Sequence, residues 1–216
     1  MLLADERAEV CRIGRQLAET RLVTGSSGNI SVRVGDLVAV TPGGMMLDRM
    51  TPEDCPVLDM SGQVVEGERA PSSETPMHLA IYEASDASAV VHTHSTYGAV
   101  VASTMTELPA IHYTTLLLGG VVRVAEYATY GTPELAANVR KALEGDRRAA
   151  LMGNHGGVTL GGDLDEAYEN ARLLEWLCGV YVRAKMIGEP RILTEEQLAK
   201  VTERGLRPPQ YPRRKA

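Results

Sequence analysis

The 216-residue sequence contains no phenylalanine, a single tryptophan and only three cysteines. It also contains no uninterrupted apolar run of the ~18 residues that a membrane span requires. The cysteines lie far apart in the chain and form no Cys-x-x-Cys pair, which argues against a disulfide framework and a cysteine metal cage. We therefore expect reduced, buried thiols. Because the first residues do not read as a signal peptide, we also expect a cytoplasmic protein without a membrane partner.

Positive charge is scarce as well, since 22 basic residues stand against 28 acidic residues and leave a net charge of −6. Such a surface repels a nucleic-acid backbone, and no basic stripe with interleaved aromatic residues is present. We therefore expect no nucleic-acid partner. The hydrophobic residues, 44% of the chain, are rich in aliphatic side chains and suffice for the core of one large domain.

Helical and strand-like patterns alternate along the whole chain. Residues 5 to about 22 have apolar side chains at helical spacing, and residues 30–34 and 37–40 have the alternation of a β-hairpin. Further strands are predicted at residues 89–94, 121–124, 149–152 and 158–160. Further helices are predicted to begin near residues 76, 95, 132, 163 and 194. Without a linker or repeat, the pattern predicts a single α/β domain with a mixed or largely antiparallel central sheet flanked by helices.

Two of the five histidines lie in a His-x-His pattern on the predicted strand 89–94. The two-residue period of a strand places His92 and His94 on one face, about 6–7 Å apart at the backbone, so that both imidazoles can reach one cation. Two neighbouring imidazoles are otherwise unfavourable, because protonation of one disfavours protonation of the other. A metal site and a pair of hydrogen-bonded core histidines both fit this pattern.

A third histidine and a glutamate extend the candidate site. His155 stands in a glycine-rich strand end, where the backbone can approach a site closely. Three imidazoles with an open fourth position are typical of catalytic zinc. Glu74 precedes a helix, where it could act as a base or only favour the positive helix end. The hydroxyls and glycines around Ser26 and Ser72 could bind a phosphate, or could simply form turns.

These residues belong to a longer pattern that resembles the class II aldolase/adducin family. The motifs are Gly25-Ser-Ser-Gly-Asn-Ile-Ser31, Thr41-Pro-Gly-Gly44, Ser72-Ser-Glu74, Val91-His-Thr-His94, Ile111-His-Tyr113, Tyr127-Ala-Thr-Tyr-Gly-Thr132 and Gly153-Asn-His-Gly156. The Ile-His-Tyr and Tyr-Gly-Thr segments are most similar to those of the family's L-fuculose-1-phosphate aldolases. The match runs from the first helix to about Arg207. We therefore expect one domain of this type over residues 1–207, followed by a basic tail over residues 208–216.

The resemblance implies a homotetramer with active sites between subunits. It implies one Zn²⁺ per subunit, held by His92, His94 and His155, with Glu74 as the acid/base residue. Tyr113, from a neighbouring subunit, would donate a proton to the aldehyde oxygen. The residues implied around the substrate phosphate are Ser26, Asn29, Gly43, Gly44, Ser72 and Ser73. His78 and His112 receive no such role, and we interpret them as structural.

The implied reaction cleaves a phosphorylated sugar, a ketose 1-phosphate similar to L-fuculose 1-phosphate, between C3 and C4. The products are dihydroxyacetone phosphate and an aldehyde. A divalent cation stabilises the negative charge that develops on the enediolate fragment. The enediolate is then protonated at carbon, and we expect Glu74 to do this with a pKa raised by a dry site.

Two positions depart from the family pattern. Gly43 stands where these aldolases often carry threonine or serine, so phosphate binding there would depend on backbone N–H groups. Arg204 stands where a tyrosine helps to handle the aldehyde. Tyr211 could substitute for that tyrosine, although nothing in the sequence places it.

Other functions share this scaffold. An L-ribulose-5-phosphate 4-epimerase has the same metal triad, but the segments around Ile111-His-Tyr113 and Leu116–Gly120 lack the acid that epimerases place there. A methylthioribulose-1-phosphate dehydratase or a 5-deoxyribulose-1-phosphate aldolase would have the same zinc site. A non-catalytic, adducin-like module would have lost the metal ligands, which are all present here.

Overall fold

The computed structural model describes residues 1–207, and strands and helices alternate throughout them. The strands are β1 (Asn29–Val34), β2 (Leu37–Val40), β3 (Val57–Asp59), β4 (Val64–Glu66), β5 (Ala89–Thr93), β6 (Glu107–Leu108), β7 (Val122–Ala125), β8 (Ala149–Met152) and β9 (Gly156–Gly161). The α-helices are α1 (Ala4–Glu19), α2 (Thr75–Ala84), α3 (Thr96–Thr104), α4 (Pro133–Ala142), α5 (Leu164–Ile187) and α6 (Glu195–Glu203). Short 3-10 helices lie at Leu47–Arg49, Pro52–Asp54 and Tyr113–Leu118.

The strands form one mixed sheet in the order β4-β3-β2-β1-β5-β9-β8-β7-β6. Within the described residues the neighbouring strands are antiparallel, except that β7 and β8 are parallel. At the centre, β5 lies between β1 and β9, so that His92 is opposite Asn29 on one side and Val158 on the other. This register brings three distant parts of the sequence to one end of β5.

Helices cover both faces of the sheet. Val91 of β5 packs in a core with α1 and α5, whereas its neighbour Val90 packs in a second core with α2 and α4. This division follows the two-residue period of a strand. A third cluster lies between α3, α5 and β8. The central strands are therefore held on both faces, and the ends of β5 and β9 occupy fixed positions.

The predicted fold class is confirmed, because the sheet is mixed, mostly antiparallel and flanked by helices in one domain. Three strands, β3, β4 and β6, were not predicted from the sequence. These strands have only two or three residues, and β4 is largely exposed, so neither alternation nor an apolar run marks them. The first helix ends at Glu19, three residues before the predicted end.

The cysteines are buried free thiols, as predicted. The Sγ atoms of Cys11 and Cys55 nevertheless lie 3.9 Å apart, although the two residues are distant in the sequence. Within residues 1–207, no helix is long and apolar enough to cross a membrane. The predicted basic tail and Tyr211 lie outside the described residues, so the division of the chain at residue 207 stays a prediction.

Candidate metal centre

Three histidines meet at one end of the central strand β5. His92 is the fourth residue of β5 and is fully buried, and His94 follows the end of the strand. Their Nε2 atoms lie 3.0 Å apart. His155 lies in the turn between β8 and β9, directly after Asn154, which has a left-handed φ of 53°. Asparagine adopts this conformation more readily than most residues, so it suits the turn that carries His155.

The three imidazole rings surround a common point. Their centroids are 4.8–4.9 Å apart in all three pairs, and the rings are inclined to one another by 66–80°. Gly156 permits this packing, because a methyl group there would collide with the carbonyl oxygen of Thr93 and approach the His92 ring. The strand after His155 can therefore lie directly against the strand that carries His92.

Hydrogen bonding fixes which nitrogen of His92 points into the cluster. Its Nδ1 lies 2.9 Å from the carbonyl oxygen of Gly157 and must donate to it, because a carbonyl only accepts. Its Nε2 is therefore the nitrogen that faces the cluster, towards Nε2 of His94 and the carboxylate of Glu74. A backbone carbonyl that orients a metal-binding histidine in this way is typical of metal sites. The donor set fits a divalent cation, since the ligand atoms of His92, His94, His155 and Glu74 lie within 4.8 Å of one another.

Glu74 lies beside the histidines at the start of α2. It is the N-cap residue of α2, but its side chain makes no capping hydrogen bond. The carboxylate instead lies 3.1 Å from Nε2 of His92 and accepts a hydrogen bond of 2.8 Å from Asn29 through Oε2. Oε1 has no hydrogen-bond partner and lies 3.4 Å from Nε2 of His155. Its side chain therefore belongs to the cluster.

The pKa of Glu74 differs from the expectation. Burial alone would raise the pKa, as expected from the sequence, but the net shift is downward. The charge and hydrogen bond of His92, together with the Asn29 amide, outweigh the burial because they stabilise the carboxylate. The expectation of a raised pKa is therefore wrong for this structure, and Glu74 is ionised and ready to accept a proton.

Two imidazoles of the cluster, those of His94 and His155, favour their neutral form, which is the form that binds metal. Burial lowers the pKa of His94 to about 4, and the neighbouring imidazoles of His92 and His155 add to this because protonation of one ring disfavours protonation of the next. Burial also lowers the pKa of His155. Both residues are thus uncharged at neutral pH and keep their lone pairs available.

A cleft of about 320 Å³ opens from the cluster. Its volume is within the range of small-molecule sites. The lining includes Glu74, His94 and His155, and it includes the whole set of residues that the resemblance places around a phosphate: Ser26, Asn29, Gly43, Gly44, Ser72 and Ser73. The structure therefore brings the candidate metal ligands and the candidate phosphate residues to the same cleft.

The phosphate side of the cleft offers neutral donors. The backbone N–H groups of Gly44 and Ser73 make no hydrogen bond within residues 1–207, whereas the N–H of Gly43 donates to the carbonyl of Ala70 at 3.1 Å. Of the glycine pair, Gly44 is thus the one with a free N–H. Among the described residues, no lysine or arginine lines the cleft. An anion would be held there by N–H and hydroxyl groups at the start of α2.

Tyr113 does not reach this cleft within its own chain. It lies on the 3-10 helix Tyr113–Leu118, is 46% exposed and packs against the ring of His112, with the centroids 4.3 Å apart. Arg204 is the C-cap residue of α6 and is likewise absent from the lining. The structure of one chain therefore separates these two positions from the cluster.

Two aromatic residues of the cleft received no role from the sequence. Tyr127 and Tyr130 line the cleft and are 65% and 66% exposed. Their loop lies against the phosphate side, because a methyl group added at Gly131, which has a φ of 75°, would lie only 2.8 Å from the carbonyl oxygen of Ser73. Both tyrosines belong to the Tyr127–Thr132 motif, and this motif is the sequence feature that could have identified them as cleft residues.

The chain is similar to known proteins of one family. The family model described as the class II aldolase and adducin N-terminal domain matches residues 8–182. A 5-deoxy-D-ribulose 1-phosphate aldolase from Bacillus thuringiensis is 40% identical over 94% of this chain and 97% of its own. An L-fuculose phosphate aldolase from Escherichia coli K12 is 35% identical over 94% of this chain and 91% of its own. A solved structure of an L-fuculose 1-phosphate aldolase has a TM-score of 0.90 at 42% identity and covers 94% of this chain and 97% of its own.

Proposed function

Since this chain belongs to the class II aldolase and adducin family, as a metal-dependent aldolase of the fuculose-phosphate aldolase type, we propose that it cleaves a ketose 1-phosphate. The products are dihydroxyacetone phosphate and an aldehyde, and the proposed ion is Zn²⁺, one per subunit. One observation carries the proposal. The cluster of three imidazoles and one carboxylate, within 4.8 Å, shares a cleft with uncharged phosphate donors.

The proposed ligands are His92, His94 and His155. Neutral imidazoles suit Zn²⁺, and three protein ligands leave a position for substrate. When bound, the ion withdraws electron density from the sugar oxygens and stabilises the negative charge left by cleavage of the C–C bond. The chain itself prepares this site by holding His92 through Gly157 and by keeping His94 and His155 uncharged.

Glu74 is the proposed acid/base residue. Its Oε2 is occupied by the Asn29 amide, whereas Oε1 has no hydrogen-bond donor. We assign the proton transfer to Oε1 for that reason. Glu74 is ionised at rest because its pKa is lowered, so the carboxylate can accept the proton of the C4 hydroxyl as the C3–C4 bond breaks and then deliver that proton to C3 of the enediolate. This order reverses the expectation of a carboxyl group that is protonated at rest.

The phosphate group is proposed to lie at the start of α2. The cleft presents three hydrogen-bond donors there, the free N–H groups of Gly44 and Ser73 and the hydroxyl of Ser26. The other proposed phosphate residues line the same part of the cleft, and they are Ser72, Asn29 and Gly43. A phosphate at this point also benefits from the positive end of the α2 dipole. The ketose then extends from the phosphate towards the histidines.

The sugar is proposed to be a deoxyketose 1-phosphate. The names of the relatives point to two such substrates, 5-deoxy-D-ribulose 1-phosphate and L-fuculose 1-phosphate. Both carry a methyl group at the end remote from the phosphate. The relative named for 5-deoxy-D-ribulose 1-phosphate is 40% identical over nearly the full length of both chains. We therefore propose this deoxypentulose phosphate as a second candidate substrate beside L-fuculose 1-phosphate.

The tyrosine predicted to protonate the aldehyde requires a second chain. Tyr113 is half exposed and lies outside the cleft of its own chain. We propose a homotetramer in which Tyr113 of a partner subunit reaches the open side of the cleft, beside Tyr127 and Tyr130. The molar mass of the assembly in solution, measured by light scattering, tests this arrangement, and a monomer with full activity would contradict it.

A panel of phosphorylated sugars tests the function directly. The purified protein is loaded with Zn²⁺ and incubated with L-fuculose 1-phosphate, 5-deoxyribulose 1-phosphate, methylthioribulose 1-phosphate and L-ribulose 5-phosphate, and the products are identified. We expect dihydroxyacetone phosphate from at least one ketose 1-phosphate. Epimerised or dehydrated products would replace the proposal with one of the alternatives, and a protein that binds no divalent metal would indicate a non-catalytic module.

A further inference from the structure

A continuous row of buried polar side chains runs from the core of the protein to Glu74. Tyr82 Oη lies 2.7 Å from Ser31 Oγ, and Ser31 Oγ lies 2.6 Å from His78 Nδ1. His78 Nε2 lies 2.5 Å from Asn29 Oδ1, and Asn29 Nδ2 donates to Glu74 Oε2 at 2.8 Å. We call these residues the buried polar chain. His78 and Ser31 are 0% exposed, Tyr82 is 1% exposed and Asn29 is 4% exposed.

The direction of each hydrogen bond follows from the chemistry at the Glu74 end. Asn29 turns its NH₂ group to Glu74 and its carbonyl oxygen to His78, and an amide nitrogen only donates whereas an amide oxygen only accepts. His78 must then carry its hydrogen on Nε2 and accept from the Ser31 hydroxyl at Nδ1. The Ser31 oxygen in turn can accept from Tyr82. Every donor in the buried polar chain therefore points towards Glu74, and the orientation of the Asn29 amide determines the direction of the other hydrogen bonds.

We propose that His78 is a positioning residue for Glu74, acting through Asn29. This inference rests on the proposed role of Glu74 as the acid/base residue. With Nε2–H aimed at Asn29, the amide cannot flip without placing its NH₂ group against a donor. Asn29 therefore holds Oε2 of Glu74 and leaves Oε1 without a donor on the side of His155.

The residues around His78 support a neutral imidazole in this chain. Burial, with a further contribution from His92, lowers the pKa of His78 to about 3, so the ring is uncharged at neutral pH. A neutral ring has one donor and one acceptor, and both are used here by Asn29 and Ser31. This assignment adds a positioning role to the structural interpretation of His78 made from the sequence. It also gives Asn29 a second task beside the predicted phosphate contact, for which one amide hydrogen remains.

The tautomer of His78 gives a test that does not depend on turnover. Imidazole ¹⁵N spectra of the full-length protein should show His78 as the Nε2–H tautomer at pH 7. Ser31→Ala removes the donor to Nδ1 and should shift His78 towards a mixture of tautomers. Asn170→Ala, which removes a buried hydrogen bond from α5 to the carbonyl of Leu160, should leave the signal unchanged. An Nδ1–H tautomer or a charged ring in the unaltered protein would overturn the inference.

Kinetics then test whether the chain serves catalysis. With the Zn²⁺-loaded enzyme, His78→Gln keeps a donor for Asn29, whereas the similarly sized His78→Leu keeps none. We expect His78→Leu to lower kcat by about 10–100-fold with KM within about 3-fold, and His78→Gln to recover most of that loss. Metal content should stay at one ion per chain in both.

Two outcomes separate the inference from the proposed function. If the unaltered protein cleaves none of the ketose phosphates, the proposed function fails, while the ¹⁵N spectrum still reports the chain. If cleavage occurs but both His78 variants retain the unaltered kcat, His78 is structural only. Should His78→Leu not fold, Ser31→Ala and Tyr82→Phe, which remove single hydroxyl groups, give the same comparison. For Ser31→Ala we expect kcat to fall by about 3–10-fold, and an unchanged kcat would overturn the inference.

Discussion

The two sides of the cleft are built differently. On the inner side, His92, Glu74, Asn29 and His78 are at most 6% exposed, and most of their polar atoms are bonded to one another or to backbone. On the outer side, donors such as the N–H groups of Gly44 and Ser73 have no partner within residues 1–207. We call these the inner wall and the outer rim. The wall is fixed before any ligand arrives, whereas the rim becomes satisfied only when a ligand binds.

This difference predicts a division of kinetic effects. Fixed groups at the reacting atoms contribute mainly to turnover, and groups that contact a remote phosphate contribute to binding in both the ground state and the transition state. Changes in the wall should therefore alter metal content or kcat, and changes in the rim should alter KM.

The largest effect is expected when a proposed metal ligand beside the inner wall, His94, is removed. His94→Ala should lose the metal and lower activity by more than about 1,000-fold, because the ion supplies several kcal/mol of charge stabilisation. Metal analysis of the dialysed protein, together with the cleavage assay, measures both. His112→Ala, which alters a histidine packed against Trp176 outside the cleft, should retain its metal. Stoichiometric zinc in His94→Ala would contradict the proposed ligand set.

The next effect tests the wall without touching the proposed ligands. Glu74→Gln should keep the metal and lower kcat by at least about 100-fold, since it removes the proton carrier and preserves the shape of the side chain. Glu83→Gln, which neutralises an exposed carboxylate on the same helix, is the matched control and should change kcat little. Near-normal turnover of every active substrate by Glu74→Gln would show that another group moves the proton.

Only part of the inner wall and of the proposed metal ligands could be predicted from the sequence. The convergence of His92 and His94 follows from the strand period alone. The approach of His155 and Asn29 does not, because it depends on the order in which β1, β5 and β9 pair in the sheet. The lowered pKa of Glu74 was missed for the same reason, since a helix start in a sequence does not reveal which groups face it.

The buried polar chain shows the same limit more sharply. Asn29 and His78 are 49 residues apart in sequence and belong to different elements. No local pattern marks their contact. Tyr127 and Tyr130 lie within a family motif, but a motif does not indicate which side chains face the cleft. Local periodicity thus predicts the elements and the ligand pair, and only the tertiary arrangement reveals the groups that orient them.

Acid should reduce the contribution of the inner wall to the free energy of unfolding. The outer rim should respond less, because its proposed donors include no titrating side chain. The pKa of His78 is lowered to about 3 in the folded protein, below its ordinary value of 6.5, so the unfolded chain binds the extra proton first. This contribution to stability is complete above pH 6.5 and is lost as the pH falls towards 3. Between pH 7.5 and pH 5, His78 alone should lower the free energy of unfolding by about 2 kcal/mol.

Urea unfolding of the metal-free protein at the two pH values measures this loss. His94 and Glu74 add to it with the same sign, since both pKa values are also lowered in the folded protein. His78→Gln should reduce the difference between pH 7.5 and pH 5 by about 2 kcal/mol, whereas His112→Gln should not. An equal pH dependence in His78→Gln and the unaltered protein would show that His78 is not held neutral by the fold.

The smallest effect is expected at the rim. Ser73→Ala leaves the N–H of residue 73 in place and removes an exposed hydroxyl, so KM for a ketose 1-phosphate should rise by about 3–10-fold, the cost of one hydrogen bond to an anion. kcat should change by less than about 2-fold, because the hydroxyl is remote from the reacting carbons. Ser103→Ala, whose hydroxyl donates to Ala99 on α3, is the control and should change neither value. If Ser73→Ala instead lowers kcat and leaves KM unchanged, the rim takes part in the reaction itself, and the distinction between a wall that performs the chemistry and a rim that selects the substrate does not hold.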